Sequence, residues 1–237
     1  MIEHTKTFYE NVLDSLRFAV SDKVSIIVIG VTLTLISTMQ YYEFKFSGIG
    51  IILNVILIIL MLFEAGYSSK IIEETIKGSI EPPIIENIPE IIKLGVKDFL
   101  VIFGYSMVLA VINTAFYAIY GNYPSLDVVL LVINIILSAA VLVVMESALI
   151  YRAYKSGSVR EGYDLRGIFR LYSRLGLKSC IFLFLASIIA QVVLVSCIFD
   201  LTSLEIVHII KFILKFTLAP ISLIFSLRLF ALQGRIE

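Results

Sequence analysis

Apolar residues in this chain come in long unbroken runs. They show neither the alternation of a half-buried strand nor the one-sided stripe of a soluble helix. Six runs approach or exceed the roughly 20 mostly apolar residues that a membrane-spanning helix needs: 24–42, 48–67, 96–120, 126–150, 179–201 and 207–232. Strands of a transmembrane barrel would alternate over about 10 residues, so each run reads as a helix. Short and long connections alternate between the runs. The pattern predicts an all-α polytopic transmembrane bundle in one membrane domain, with six spans in three hairpins. Its parts are an N-terminal amphipathic segment 1–23, hairpin 24–67, connection 68–95, hairpin 96–150, a basic connection 151–178 and hairpin 179–232.

The segments between hairpins also carry helical patterns. Tyr9, Val12, Leu13, Leu16, Ala19 and Val20 recur at helical spacing, with Glu10, Asn11, Asp14 and Arg17 mostly between them. They read as an amphipathic helix, either lying on the inner membrane surface or packed on the long connections. The second span is expected to continue to Lys77. Gly78 then suits a helix end, and Pro82-Pro83 forbids continuation. Asn87 followed by Glu90 resembles a capping box for a helix running into the third span. The second connection repeats the plan: Gly157 ends a helix and Asp164 caps the next. In that helix Leu165, Ile168, Phe169, Tyr172 and Leu175 form an apolar face. Arg166, Arg170, Arg174 and Lys178 fall four apart on another.

Composition and charge fix the class and the orientation. Hydrophobic residues make up 59% of the 237 and charged residues 16%; mean hydropathy is +0.98. Soluble domains run nearer 45–50% and 25%, so a soluble fold, a disordered chain and a small disulfide scaffold are all excluded. The formal net charge is zero, which gives no case for nucleic acid. Of the 19 Lys and Arg residues, 16 fall on the side of the termini and the long connections; Lys45, Lys211 and Lys215 do not. The positive-inside rule then predicts a multi-pass cell-membrane protein with both termini cytoplasmic. No cleavable signal peptide is expected, since residues 1–23 carry acids as well as bases and no A-x-A site follows. Cys180 and Cys197 lie 17 residues apart in one run, or about 25 Å along a helix, so they do not pair with each other.

Polar residues inside the apolar runs are the candidate functional groups, because they are costly in lipid. Asn54, Asn113, Asn134 and Gln191 sit near the middles of spans 2 to 5, where their amides either bond across helices or line a polar path. Glu64 and Glu146 lie near cytoplasmic helix ends, in reach of the interface or of Arg152 or Lys70. In span 6, His208, Lys211 and Lys215 share a face, Thr202 and Glu205 suit its start, and Pro220 is expected to kink it. The basic strip reads either as a cleft for an anionic solute or headgroup or as side chains snorkelling to the interface, and Arg228 can snorkel likewise.

Three markers also repeat at nearly one offset: Lys93–Lys97 with Arg174–Lys178, Glu64 with Glu146, and Asn54 with Asn134. The matching hairpins point the same way, so the repeat is parallel.

Short motifs carry a family resemblance. Asp14-Ser15-Leu16-Arg17-Phe18 with Ser21-Asp22 form one of them. Gly66-Tyr67 with Thr75, Gly78, Pro82-Pro83 and Leu94-Gly95-Val96-Lys97 form a second, and Tyr163-Asp164-Leu165-Arg166-Gly167-Ile168 a third. Together they resemble domain-of-unknown-function 4013, an uncharacterised archaeal membrane family. That family tends to carry Trp after Ser-Asp and in its acidic central loop; this chain has no Trp. The resemblance implies a multi-span membrane protein without an established activity, and it carries over no catalytic residue.

Enzyme motifs are missing: there is no P-loop, H-E-x-x-H or G-x-S-x-G, and His4 and His208 are the only histidines. The expectation is a non-enzymatic protein with no cofactor. It would be a scaffold organising lipid or a partner protein at the inner surface, with Arg166, Arg170, Arg174 and Lys178 as candidate headgroup ligands. Those same cations also read simply as topology-setting charge. The expected partners are the bilayer, its anionic lipids, and a membrane protein or a second copy. The rival expectation is a small transporter or permease subunit for an anionic solute, using the intramembrane polar residues.

Overall fold

The computed structural model describes residues 8–41, 48–120, 127–155, 157–175 and 205–234. Every regular element among the described residues is helical. In chain order these are α1 (Phe8–Ser21), α2 (Lys23–Tyr41), α3 (Gly48–Lys77), α4 (Ile88–Ile119), α5 (Asp127–Lys155), a 3-10 turn (Val159–Tyr163), α6 (Leu165–Leu175) and α7 (Glu205–Gly234). Helices α3, α4 and α5 are long and apolar enough to cross a membrane. The pair α1–α2 makes a fourth candidate, bent by 81° at its break. The predicted run 179–201 lies outside the described residues. Run 207–232 falls in α7, whose described apolar stretch, Phe216–Leu232, is shorter than a span.

Local chemistry sets the helix boundaries much as the sequence suggests. Asp22 caps α2, accepting from Val24 N at 3.0 Å, Ser25 N at 3.2 Å and Ser25 Oγ at 2.5 Å. Helix α3 ends at Lys77 with Gly78 at φ +90°, and α5 ends short of Gly157 at φ +66°. Only glycine adopts such angles without strain. Asn87 Oδ1 accepts from Glu90 N at 3.4 Å at the start of α4. The reciprocal bond differs from a standard capping box: Asn87 Nδ2, not the backbone, donates to Glu90 Oε2 at 3.2 Å. Helix α7 continues through Pro220, which is buried.

The buried core gathers at one end of the bundle. There α3 finishes, α4 begins, and α5 and α7 finish. Helix α3 divides it: Phe63, Tyr67 and Ile71 face Phe18, Ile29, Ile91 and Ile224. Ile72 lies in a second cluster with Val101, Tyr105, Ala148, Tyr151, Ile168 and Leu171. Away from this end the helices present aliphatic side chains outward. From Val128 to Leu142 no side chain is buried, and Val128 is 74% exposed. Soluble monomers rarely expose contiguous apolar surface on this scale.

Candidate functional site

Helices α3 and α4 meet backbone to backbone. A Cβ on Gly66 would strike the Ile91 carbonyl, and one on Gly95 would strike the Leu62 carbonyl. Two glycines, one on each helix, allow this approach. The contact brings the end of α3 and the start of α4 close enough to bury polar groups between them.

Two arginines fill that buried end. Arg152, on α5, is wholly buried. Its Nη2 lies 2.5 Å from Asp98 Oδ1 of α4 and donates to Ser69 Oγ of α3. Its Nη1 donates to the Gly157 carbonyl at 3.1 Å, satisfying a group just past the end of its own helix. Arg228, on α7, is 3% exposed. It pairs with Asp14 of α1 at 3.1 Å, donates to Thr75 Oγ1 at 3.2 Å and to the Ser79 carbonyl at 2.6 Å, and stacks over Phe18 at 4.2 Å. Each guanidinium thus joins three elements. Neither is the interfacial charge that a count of Lys and Arg suggests. Arg228 does not snorkel, because Asp14, Thr75 and Ser79 take hydrogen bonds from its two Nη groups inside the bundle. Arg152 takes Asp98 as its acid in place of Glu64 or Glu146.

Tyr67 OH donates to Ser25 Oγ at 2.6 Å and lies 3.2 Å from the Pro83 carbonyl, tying α3 to the α1–α2 bend and to the first connection. Helix α1 turns part of its expected apolar face outward. Ser15, Phe18 and Ala19 are the buried residues, while Tyr9, Leu16 and Val20 are exposed. The Arg228 contacts to Asp14 and Phe18 set this rotation. They pack one side of α1 on α7 and leave an apolar stripe on the other.

The second connection is built as a clamp. Tyr105 OH donates to the Gly162 carbonyl at 3.0 Å, Tyr163 OH donates to the Leu100 carbonyl at 2.5 Å, and the two rings stack at 5.8 Å. The sequence showed a loop here. Its one signal was two tyrosines, one inside an apolar run and one in the connection, each carrying a hydroxyl that needs a partner when buried. Asp164 caps α6, accepting from Gly167 N at 3.1 Å and from Tyr151 OH at 3.3 Å. Ile168 and Leu171 anchor α6 in the core. Its outer side presents Leu165 and Phe169 beside Arg166 and Arg170, all exposed. The side chain of Arg174 and all of Lys178 fall outside the described residues.

The intramembrane candidates separate. Asn134 Nδ2 donates to Asn113 Oδ1 at 3.0 Å, and Ser138 Oγ reaches Asn134 Oδ1 at 3.4 Å. Asn113 and Asn134 help line a groove of about 500 Å³ with Thr114, Phe116, Tyr117 and Tyr120. Asn54 stands exposed on α3, away from both. Glu64 accepts from Ser68 at 3.2 Å, and Glu146 is half-buried. Gln191 and the side chains of Lys211 and Lys215 lie outside the described residues. No group of three His, Cys, Asp or Glu able to hold a metal ion occurs among the described residues.

These features define an all-α protein whose long apolar helices are joined at one end by buried arginine networks. The chain belongs to the family described as protein of unknown function (DUF4013), whose model matches residues 49–199. The second and third motifs fall in that stretch; the motif at Asp14–Asp22 precedes it. No curated protein matches the chain, and no solved structure does.

Proposed function

We propose that this protein is a six-span membrane scaffold with both termini cytoplasmic. Its helices α1 and α6 would lie at the inner surface and gather anionic lipid or a partner protein there. The observation that carries the reading is the outer side of α6, where Leu165 and Phe169 stand beside Arg166 and Arg170 on a helix anchored by Ile168 and Leu171. An apolar row flanked by guanidinium groups suits the headgroup–acyl boundary of an anionic leaflet. Each such cation contributes about 1 kcal/mol near that surface. The exposed stripe of Tyr9, Leu16 and Val20 on α1 supports the same placement. Orientation is supported by the end at which α3 and α5 finish, which carries both long connections and most of the basic residues.

Native mass spectrometry of the gently extracted protein tests the proposal. A stoichiometric anionic lipid or protein partner is expected, lost when Arg166, Arg170 and Arg174 become Gln. The groove beside Asn113 and Asn134 favours the second reading, a transporter subunit for an anionic solute. A protein carrying no lipid or partner, or one holding a small solute that Lys215→Met releases, would replace the scaffold by that reading.

A further inference from the structure

Helix α3 has two distinct sides along residues 51–61. Leu53, Leu57 and Leu60 are half-buried and turn toward the bundle. Ile51, Asn54, Ile58 and Met61 are all exposed. Their spacing of three, four and three residues forms a straight seam along the helix, the a/d pattern by which two helices pack. Ile52, Ile56 and Ile59 occupy the other exposed flank, with no polar group among them.

Asn54 is the anomaly. The two other described mid-span amides satisfy one another across α4 and α5. Asn54 has no hydrogen-bond partner among the described residues. Lipid offers none, and a primary amide left bare in hydrocarbon is costly. An amide is also self-complementary, since it both donates and accepts. Copies inserted with one orientation bring their α3 helices together in parallel, with Asn54 at the same depth in each. A two-fold axis along the membrane normal then pairs each Asn54 with its equivalent.

We propose that two copies of this chain associate through α3, with Ile51, Ile58 and Met61 packing around an Asn54–Asn54 hydrogen-bonded pair. The inference rests on the membrane reading above and adds the partner: a scaffold whose lipid-binding surfaces are presented in twos.

Cysteine cross-linking in the membranes of expressing cells tests it, in the full chain with Cys180 and Cys197 replaced by Ser. Asn54→Cys is expected to form a disulfide-linked dimer on mild oxidation. Ile56→Cys, on the opposite flank, is expected to remain monomeric. In parallel, energy transfer between labelled copies in vesicles should show Asn54→Leu associating about three- to twenty-fold more weakly than the parent. Because the site is exposed, helix content by circular dichroism should not change. A monomer at every protein density overturns the pairing. So does cross-linking at Ile56→Cys equal to that at Asn54→Cys, or a dimer indifferent to Asn54→Leu. A chain that alkaline extraction strips from the membrane overturns the membrane reading itself, and is told apart by that result.

Discussion

Removing the Asp98 carboxylate leaves Arg152 as a buried cation without its paired acid, with the Glu73 carboxylate near but not in contact. The guanidinium is 0% exposed and the Asp98 side chain 5%. After Asp98→Ala, Ser69 and the Gly157 carbonyl still accept hydrogen bonds from Arg152, but neither carries charge. Breaking one half of a pair buried this deeply costs about 3–5 kcal/mol, whereas an exposed pair contributes about 0–1 kcal/mol. Arg152→Met also destabilises, because Asp98 then lies buried without a cation. Changing both, Asp98→Leu with Arg152→Met, removes the uncompensated charge and should cost far less than the two single changes combined. The assay is unfolding in mixed micelles against rising sodium dodecyl sulfate, followed by circular dichroism on all three variants. An Asp98→Ala protein within about 1 kcal/mol of the parent would refute the reasoning, since the pair would then behave as a surface contact. Additive costs in the double variant would refute it equally.

Three further outcomes follow from named contacts. Gly66→Val places a side chain against the Ile91 carbonyl and should cost about 1–3 kcal/mol in the same unfolding assay. Asp14→Ala should destabilise less than Asp98→Ala, because the Asp14 side chain is 28% exposed. Its clearer sign is faster proteolytic cutting within residues 8–21, as α1 loses its hold on Arg228. Asn134→Leu strips Asn113 of its partner and should cost about 0.6–1.7 kcal/mol by micelle unfolding.

Helix positions and ends were legible because their causes are local. Gly78, Asn87 with Glu90, Gly157 and Asp164 each act within a few residues, and each does what its type suggests. The arginine network was not legible, because a charge count treats every Lys and Arg alike. Whether Arg152 faces water or protein depends on Asp98 and Ser69, which arrive from two other helices. A faint signal existed: Asp98 sits just inside the third apolar run, where an acid needs a reason. The rotation of α1 was hidden for the same cause. The pattern left open whether its apolar face meets the membrane surface or the connections, and Arg228, more than 200 residues away in the chain, holds the side of Ser15 and Phe18 inward.

The ends of α3 and α5 are built alike. Helices α3 and α5 both stop before a glycine of positive φ, and both are followed by a side chain that caps the next helix. Tyr67 and Tyr151 each reach into the connection that follows, to Pro83 and to Asp164. In both units a buried guanidinium satisfies a carbonyl just past the helix end: Arg228 at Ser79 and Arg152 at Gly157. The units differ in where that arginine comes from, since Arg152 belongs to the helix it closes and Arg228 is lent by α7. The residues carrying the family resemblance fall on these same joints. Gly66 and Gly95 form the α3–α4 crossing, Thr75 holds Arg228, Gly78 ends α3, and Tyr163, Asp164 and Ile168 seat α6. Motifs placed at joints hold the helices together, and on the scaffold reading proposed above the surfaces left for interaction are the outer side of α6 and the seam around Asn54.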